Sequence, residues 1–256
     1  MSENDIKTSQ DTSVSELSVV VLCYRAEETI IPFVEKMEKE LNDEKIDYEL
    51  VLVANYLSGV KDKTPEIVSQ MAKNNQKIVP VIKEKEGMMG WDLRSGLEAA
   101  KGRAIAFIDG DGQMPSFDIV RLYRVFKSWE FDICKTYRIK RFDAPWRQAI
   151  SIIYNLLFNI VFPGVYIHDI NSKPKIISRK AYDKIKLAAN DWFIDAEMII
   201  ESRQHKLIIG EIPTVFYEHR WGKTFVKSTT IVEFIKNLVI YRFKYWFDSS
   251  QSKRKN

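Results

Sequence analysis

The stretch Gly96–Gln113, GLEAAKGRAIAFIDGDGQ, decides how the chain is read. Its first part ends a helical pattern that runs from Trp91 to Lys101 and is closed by Gly102, a residue type suited to a helix C-terminus. Ala104 to Ile108 (AIAFI) then reads as a strand running into Asp109. The strand opens into Asp109-Gly110-Asp111-Gly112-Gln113. Two carboxylates one residue apart at a strand end can reach a single divalent cation, and hard oxygen ligands suit Mg²⁺ or Mn²⁺. Such a cation would neutralise a diphosphate leaving group. The same Asp-Gly pairs also suit a plain acidic turn.

Upstream, short β-branched runs alternate with longer helical patterns, as in a mostly parallel sheet with crossover helices. Leu17 to Tyr24 reads as a strand buried on both faces, followed by an amphipathic helix from Glu27 to Leu41. Tyr48 to Ala54 is the next strand, and Pro65 opens a helix that continues from Glu66 to Asn74. Lys77 to Lys83 is a third strand, interrupted by Pro80. The resulting α/β class is a doubly wound beginning whose ligands belong at the carboxyl ends of the strands.

Downstream, the pattern predicts a helix over Phe117–Trp129, a strand over Asp132–Tyr137, an apolar helix over Trp146–Phe162, and a helix around Phe193–Gln204. A strand pair around Leu207–Tyr217 and a long helix from Thr229 to Phe247 complete it. In Trp146–Phe162, Ser151, Asn155 and Asn159 recur every four residues, so one face is polar. The segment is shorter than the roughly 20 residues that span a bilayer, and reads as an interfacial or buried helix.

The chain has 256 residues and a formal net charge of +4. Residues 1–16 are rich in Ser, Thr, Asp and Glu and read as a disordered tail without the apolar run of a signal peptide. Residues 17–247 form one domain, and 248–256 a basic tail. Cys23 and Cys134 sit in apolar runs and read as buried free thiols. The charge is too small, and a nucleic-acid motif too plainly missing, for a nucleic-acid binder. Cations concentrate after Arg220, so that end should prefer anions.

GLEAAKG followed by AIAFIDGDGQ resembles the block of inverting family 2 glycosyltransferases in which a GLxxAxGxxxxxxDxDxQ stretch leads into the metal motif. Val20 to Ile30 (VVLCYRAEETI) similarly resembles the family's first strand and nucleotide-binding turn. With later matches the resemblance covers most of residues 17–245, and the subgroup looks like the dolichyl- and polyprenyl-phosphate mannose or glucose synthases. It implies the GT-A fold, a GDP- or UDP-linked sugar donor, Mg²⁺ or Mn²⁺ as cofactor, and a polyprenyl phosphate acceptor at a membrane surface.

By position, the resemblance places Cys23, Tyr24 and Glu27, with Glu28 as neighbour, beside base and ribose. Asp109 would approach ribose or metal, and Asp111 and Gln113 would hold the metal. Arg94 could reach the donor sugar or its phosphate, or be an exposed helical arginine. The family's Asp-Asp-Gly-Ser turn is replaced by Ala54-Asn55-Tyr56-Leu57-Ser58-Gly59, which leaves Asn55 as the candidate base contact. An amide both donates and accepts, whereas a carboxylate only accepts. Arg25 and Ala26 replace the usual Asn-Glu.

Asp169-Ile-Asn-Ser172 resembles a D-x-x-S segment, with Lys173 where glycine usually follows. Trp192-Phe-Ile-Asp195-Ala-Glu197 resembles an F-x-x-E helix start, in which Asp195 or Glu197 would be the general base toward a hydroxyl acceptor, or simply an acid favouring the helix dipole. His219-Arg220-Trp221-Gly222-Lys223-Thr224 resembles the R-x-x-G-x-S loop whose cation contacts phosphates, making Arg220 and Lys223 catalytic candidates beside Asp111.

Two segments point to a membrane. Thr229–Phe247 combines apolar and aromatic residues at helical spacing with Lys and Arg, suiting the headgroup region or a core-packing helix with snorkelling cations. Trp146–Gly164 is flanked by Arg138, Lys140, Arg141 and Arg147. The expected protein is therefore cytoplasmic and peripherally membrane-associated, with a membrane partner subunit left open. Alternatives are a same-fold transferase with a hydroxyl acceptor, and a binding or scaffold protein.

Overall fold

The computed structural model describes residues 14–164, 166–218 and 236–243. Seven strands form one sheet: β1 (Leu17–Leu22), β2 (Tyr48–Val53), β3 (Ile78–Val81), β4 (Ala104–Asp109), β5 (Ile133–Arg141), β6 (Lys175–Ser178) and β7 (Ile209–Phe216), in the order β3-β2-β1-β4-β6-β5-β7. Strands β3, β2, β1 and β4 are parallel, β5 and β7 pair in parallel, and β6 is antiparallel to both its neighbours. Helices α1 (Ile30–Asp43), α2 (Thr64–Asn74), α3 (Met89–Ala99), α4 (Asp118–Trp129), α5 (Pro145–Val161), α6 (Arg179–Tyr182) and α7 (Ile194–Gln204) accompany it.

Alternation along β1 divides the core between two faces. Val19 and Val21 pack with Ile30, Val34 and Met37 of α1 and with Ile119 and Leu122 of α4. Val20 and Leu22 face Leu93 and Leu97 of α3 and Ile194 and Met198 of α7. Burial on both faces explains why this strand is apolar apart from Ser18. Pro80 is accommodated because β3 is a sheet edge, where a missing N–H costs no internal ladder bond.

Helix α3 lies tight against the sheet at Gly96. A Cβ there would stand 2.4 Å from Val20 Cγ1 and 2.7 Å from Val53 Cγ2. Gly96→Ala is therefore expected to cost about 1–3 kcal/mol by overpacking, read as a lowered midpoint in chemical denaturation.

Several boundaries differ from the sequence reading. Helix α3 ends at Ala99, before Gly102, because the chain turns extended at Ala100. Strand β5 runs on to Arg141, held by its parallel partner β7. The strand pair around Leu207–Tyr217 is one strand, β7, because its partner is β5 and not a neighbouring hairpin arm. Of the long helix Thr229–Phe247, residues 236–243 are helical, and the rest lies outside the described residues, as do 1–13 of the acidic tail and the basic tail 248–256.

Helix α5 is oriented against the usual rule for a soluble protein. Its polar stripe faces inward: Asn155 Oδ1 accepts from Ile170 N at 3.0 Å, and the Asn159 amide exchanges hydrogen bonds with the backbone of Ile167 at 2.9 and 3.1 Å. Tyr154 and Phe158 join a third core cluster with Phe193 and Ile199. Ile152, Ile153, Leu156 and Ile160 are left exposed, between 57% and 67%.

Candidate functional site

The register of the sheet aligns the carboxyl ends of β1, β2 and β4, with Leu22 opposite both Val53 and Asp109. Three turns therefore meet at one edge: Cys23–Tyr24, Ala54–Asn55 and Asp109–Gln113. Gly110 N donates to Leu22 O at 2.9 Å, fixing the acidic turn to β1. Asp111 Oδ1 accepts from Gln113 N at 2.9 Å, while Gly112 takes the left-handed φ of 71° that closes the turn. Gln113 Nε2 donates to Tyr217 O at 3.1 Å, and Tyr217 N donates to Gln113 O at 2.8 Å. The end of β7 is thus clamped to the acidic turn.

Beneath that turn lies a buried charge network. Lys173 Nζ donates to Asp109 Oδ2 at 3.2 Å and lies 3.4 Å from Asp195 Oδ2. Lys175, fully buried, pairs with the other oxygen of Asp195. Burial works against both ammonium groups. For Lys173 the carboxylates outweigh it and its pKa is raised, whereas Lys175 is pushed down to about 8. Asp195 is held below the usual carboxylate range, its burial outweighed by the two lysines. Nearby, Arg138 makes a two-point pair with Asp169 at 2.6 and 2.8 Å, which outweighs the burial of that carboxyl and lowers its pKa.

Three carboxylates (Asp109, Asp111, Asp195) thus face two ammonium groups (Lys173, Lys175), and Asp111 makes no ion pair among the described residues. Burial, then the neighbouring Asp109 charge, raise the Asp111 carboxyl to about 6. A desolvated acid beside a second acid, with one negative charge uncompensated, is the donor set a divalent cation fits. Gln113 Oε1 is uncommitted among the described residues, so a neutral oxygen ligand is also at hand. Asp109, Asp111 and Gln113 share this one turn, while no cluster of three or more His, Cys, Asp or Glu side chains placed to hold a metal ion occurs among the described residues.

Other candidates stand in different surroundings. The Cys23 side chain packs in the core with α1 and α4, its Sγ donating to Val21 O at 3.3 Å, so only its backbone borders the edge. Burial raises its pKa, and that of Cys134 to about 12. Tyr24 is half-buried and Glu27 exposed on the same turn. Asn55 is almost fully enclosed. Its Nδ2 donates to Asp92 Oδ1 and Ser95 Oγ, both at 2.9 Å, and its Oδ1 accepts from Lys83 N at 2.9 Å. Arg94 reaches the backbone of Ala188 at 3.1 Å and Asn190 Oδ1 at 2.6 Å, fastening α3 to the loop before α7. Arg220, Lys223 and His219 lie outside the described residues.

Glu197 accepts from Ala188 N and Ala189 N at 3.0 and 2.9 Å and from Tyr241 Oη at 2.7 Å. Both acids of the F-x-x-E-like segment are therefore committed to internal partners. The sequence reading missed the Lys173–Asp109 contact and the Asp92–Lys85 pair behind Asn55. One signal was available: lysines at 173 and 175 lead directly into the β-branched run Ile176-Ile177, where a charged residue must be buried.

Comparison with known proteins bears on the fold and the family. The chain is 25% identical over 249 residues to the dolichyl-phosphate beta-glucosyltransferase ALG5A of Trichomonas vaginalis, covering 90% of this chain and 75% of that protein. It is 26% identical over 208 residues to glycosyltransferase AglD of Haloferax volcanii, 77% of this chain but 32% of that protein. Against an undecaprenyl-phosphate 4-deoxy-4-formamido-L-arabinose transferase of Photorhabdus laumondii the identity is 27%, over 56% of this chain and 43% of the relative. The chain thus spans less than half the length of the latter two. Glucosyl-3-phosphoglycerate synthase of Mycobacterium tuberculosis, solved with Mn²⁺, UDP and glucosyl-3-phosphoglycerate, superposes with a TM-score of 0.68 at 18% identity, covering 89% of this chain and 80% of that one. The likeness establishes the GT-A fold. Residues 18–186 match the profile described as Glycosyl transferase family 2, and the chain belongs to that family.

Proposed function

We propose that the chain moves a hexose from a GDP- or UDP-linked donor to a polyprenyl phosphate held at a membrane surface, inverting the anomeric centre. The observation that carries this reading is the acidic turn at the end of β4, where Asp111, beside Asp109, makes no ion pair among the described residues. Bound there by Asp109, Asp111 and Gln113, Mg²⁺ or Mn²⁺ would supply charge neutralisation for the departing diphosphate. Relatives with GT-A folds crystallised with Mn²⁺ or Mg²⁺ and UDP support the choice of cofactor.

An acceptor phosphate oxygen forms the new bond to the anomeric carbon as the bond to the diphosphate breaks, and that electron pair leaves with the nucleoside diphosphate. The second phosphate pKa is about 6, so this nucleophile is ionised near neutral pH and needs no general base. That requirement matches the site. Asp195 is occupied by two lysines and Glu197 by three donors, so neither is free to take a proton from a hydroxyl. The remaining work is positioning. Tyr217, clamped to Gln113, lies three residues before Arg220, which with Lys223 is assigned to the donor phosphates. Tyr24 and Glu27 are assigned to the nucleoside, and Asn55, at the end of the neighbouring strand, is held by Asp92 and Ser95. Names of relatives that act on dolichyl, undecaprenyl and dodecaprenyl phosphates favour the lipid acceptor.

Helix α5 supplies the membrane side. No helix among the described residues is long and apolar enough to cross a membrane. The outward row Ile152, Ile153, Leu156 and Ile160, with Trp146 at its start, is nevertheless a continuous apolar surface, and Val239, Ile240 and Phe243 are exposed on helix 236–243. Apolar rows flanked by Arg147 and Lys140 suit the headgroup boundary. Ile153→Asp combined with Leu156→Asp should weaken co-sedimentation with anionic vesicles by roughly tenfold or more without lowering thermal stability, since both side chains face outward. Unchanged sedimentation would remove α5 from the membrane surface.

The transfer itself is tested by incubating the chain with labelled nucleotide sugars, polyprenyl phosphate and Mn²⁺. Label should enter the organic phase. Label found only on a soluble saccharide would favour the hydroxyl-acceptor reading.

A further inference from the structure

We propose that Lys173 sets how strongly the acidic turn holds a divalent cation, so that the bare ion binds weakly and is captured together with the donor's diphosphate. This rests on the metal-binding reading of Asp109 and Asp111.

The geometry leaves Lys173 little freedom. Its Nζ contacts Asp109 Oδ2 at 3.2 Å, Asp195 Oδ2 at 3.4 Å and Met89 Sδ at 3.0 Å, and its side chain is 5% exposed against 35% for Asp109. The ammonium therefore sits behind the carboxylate, on the protein side, while Asp109 presents its remaining surface outward. Asp195 also has Lys175, whereas Lys173 is the one cation paired with Asp109 among the described residues, so Asp109 depends on Lys173 for its counter-charge.

A cation approaching Asp109 meets a half-neutralised ligand with a fixed positive charge immediately beyond it. In a partly buried site that repulsion is weakly screened. Diphosphate oxygens restore the missing negative charge, which couples binding of ion and nucleotide in both directions.

The test is a Mn²⁺ titration at pH 7.5, followed by electron paramagnetic resonance of the free ion, with and without UDP or GDP. Without nucleotide, Lys173→Met should bind Mn²⁺ roughly tenfold or more tightly than the wild type, and Lys173→Arg within about threefold of it. Nucleotide should tighten Mn²⁺ binding more in the wild type than in Lys173→Met. Lys173→Gln, which keeps N–H donors for both carboxylates, serves as the neutral variant should Lys173→Met not fold. Neutral variants that bind Mn²⁺ no more tightly than the wild type overturn the proposal, as does Lys173→Arg binding as tightly as they do. If Asp111→Asn abolishes binding while the neutral variants match wild type, this inference alone fails. If no protein binds Mn²⁺ even with nucleotide present, the metal reading itself fails.

Discussion

Asp111→Asn is expected to lower transfer activity by at least about a thousandfold, because it removes the carboxylate of the turn that makes no ion pair among the described residues. The same change should leave the protein as stable as the wild type or more so at pH 7.5. The sign follows from the raised pKa. An acid at about 6 in the folded state, against an ordinary value of 3.8, is ionised at a cost to the fold, and that cost sets in as pH rises through this interval. An amide carries no such cost and keeps the oxygen that accepts from Gln113 N. Activity assayed beside a thermal melt checks both halves. A variant that lost activity by unfolding would indicate a structural role for Asp111.

Asp195→Ala is expected to do the opposite, costing about 3–5 kcal/mol of stability, because Lys175 loses its buried counterion and Lys173 one of its two. A general base would behave differently: its loss would slow turnover in a protein that melts normally. Asp195 contributes its stability above its unfolded pKa of about 3.9, and that contribution fades as pH falls through its lowered folded value. The stability gap between wild type and variant should therefore persist at neutral pH and close in acid. Denaturant titrations at pH 7 and in the acid range read this directly.

The left half of the sheet was legible because its rules are local. A strand buried on both faces is mostly apolar along its whole length, and Leu17–Leu22, Tyr48–Val53 and Ala104–Asp109 are so but for Ser18, Glu49 and the terminal Asp109. The metal candidates were legible for the same reason, since Asp109, Asp111 and Gln113 lie on one short turn. What escaped was whatever depends on pairing across long sequence distances. Strand β6 is only Lys175–Ser178, too short for periodicity, and it inserts antiparallel between β4 and β5. Nothing in the spacing of Asp109, Lys173 and Asp195 brings them together; the insertion of β6 does. Asn55 illustrates a further limit. Its residue type permits a contact with a base, but its partners Asp92 and Ser95 arrive from α3, packed closely over the strand ends. The reversed polarity of α5 was half legible: the four-residue recurrence of Ser151, Asn155 and Asn159 revealed a polar face, but not that it turns inward.

The central claim is that the acidic turn holds a divalent cation on which the donor's diphosphate depends, and calorimetric titration of UDP and GDP into the full chain, with Mn²⁺ and then with EDTA, tests it most directly. The account predicts saturable binding of at least one nucleotide in Mn²⁺, lost in EDTA and lost in Asp111→Asn. Binding of equal strength in EDTA, or none of either nucleotide in Mn²⁺, would contradict it.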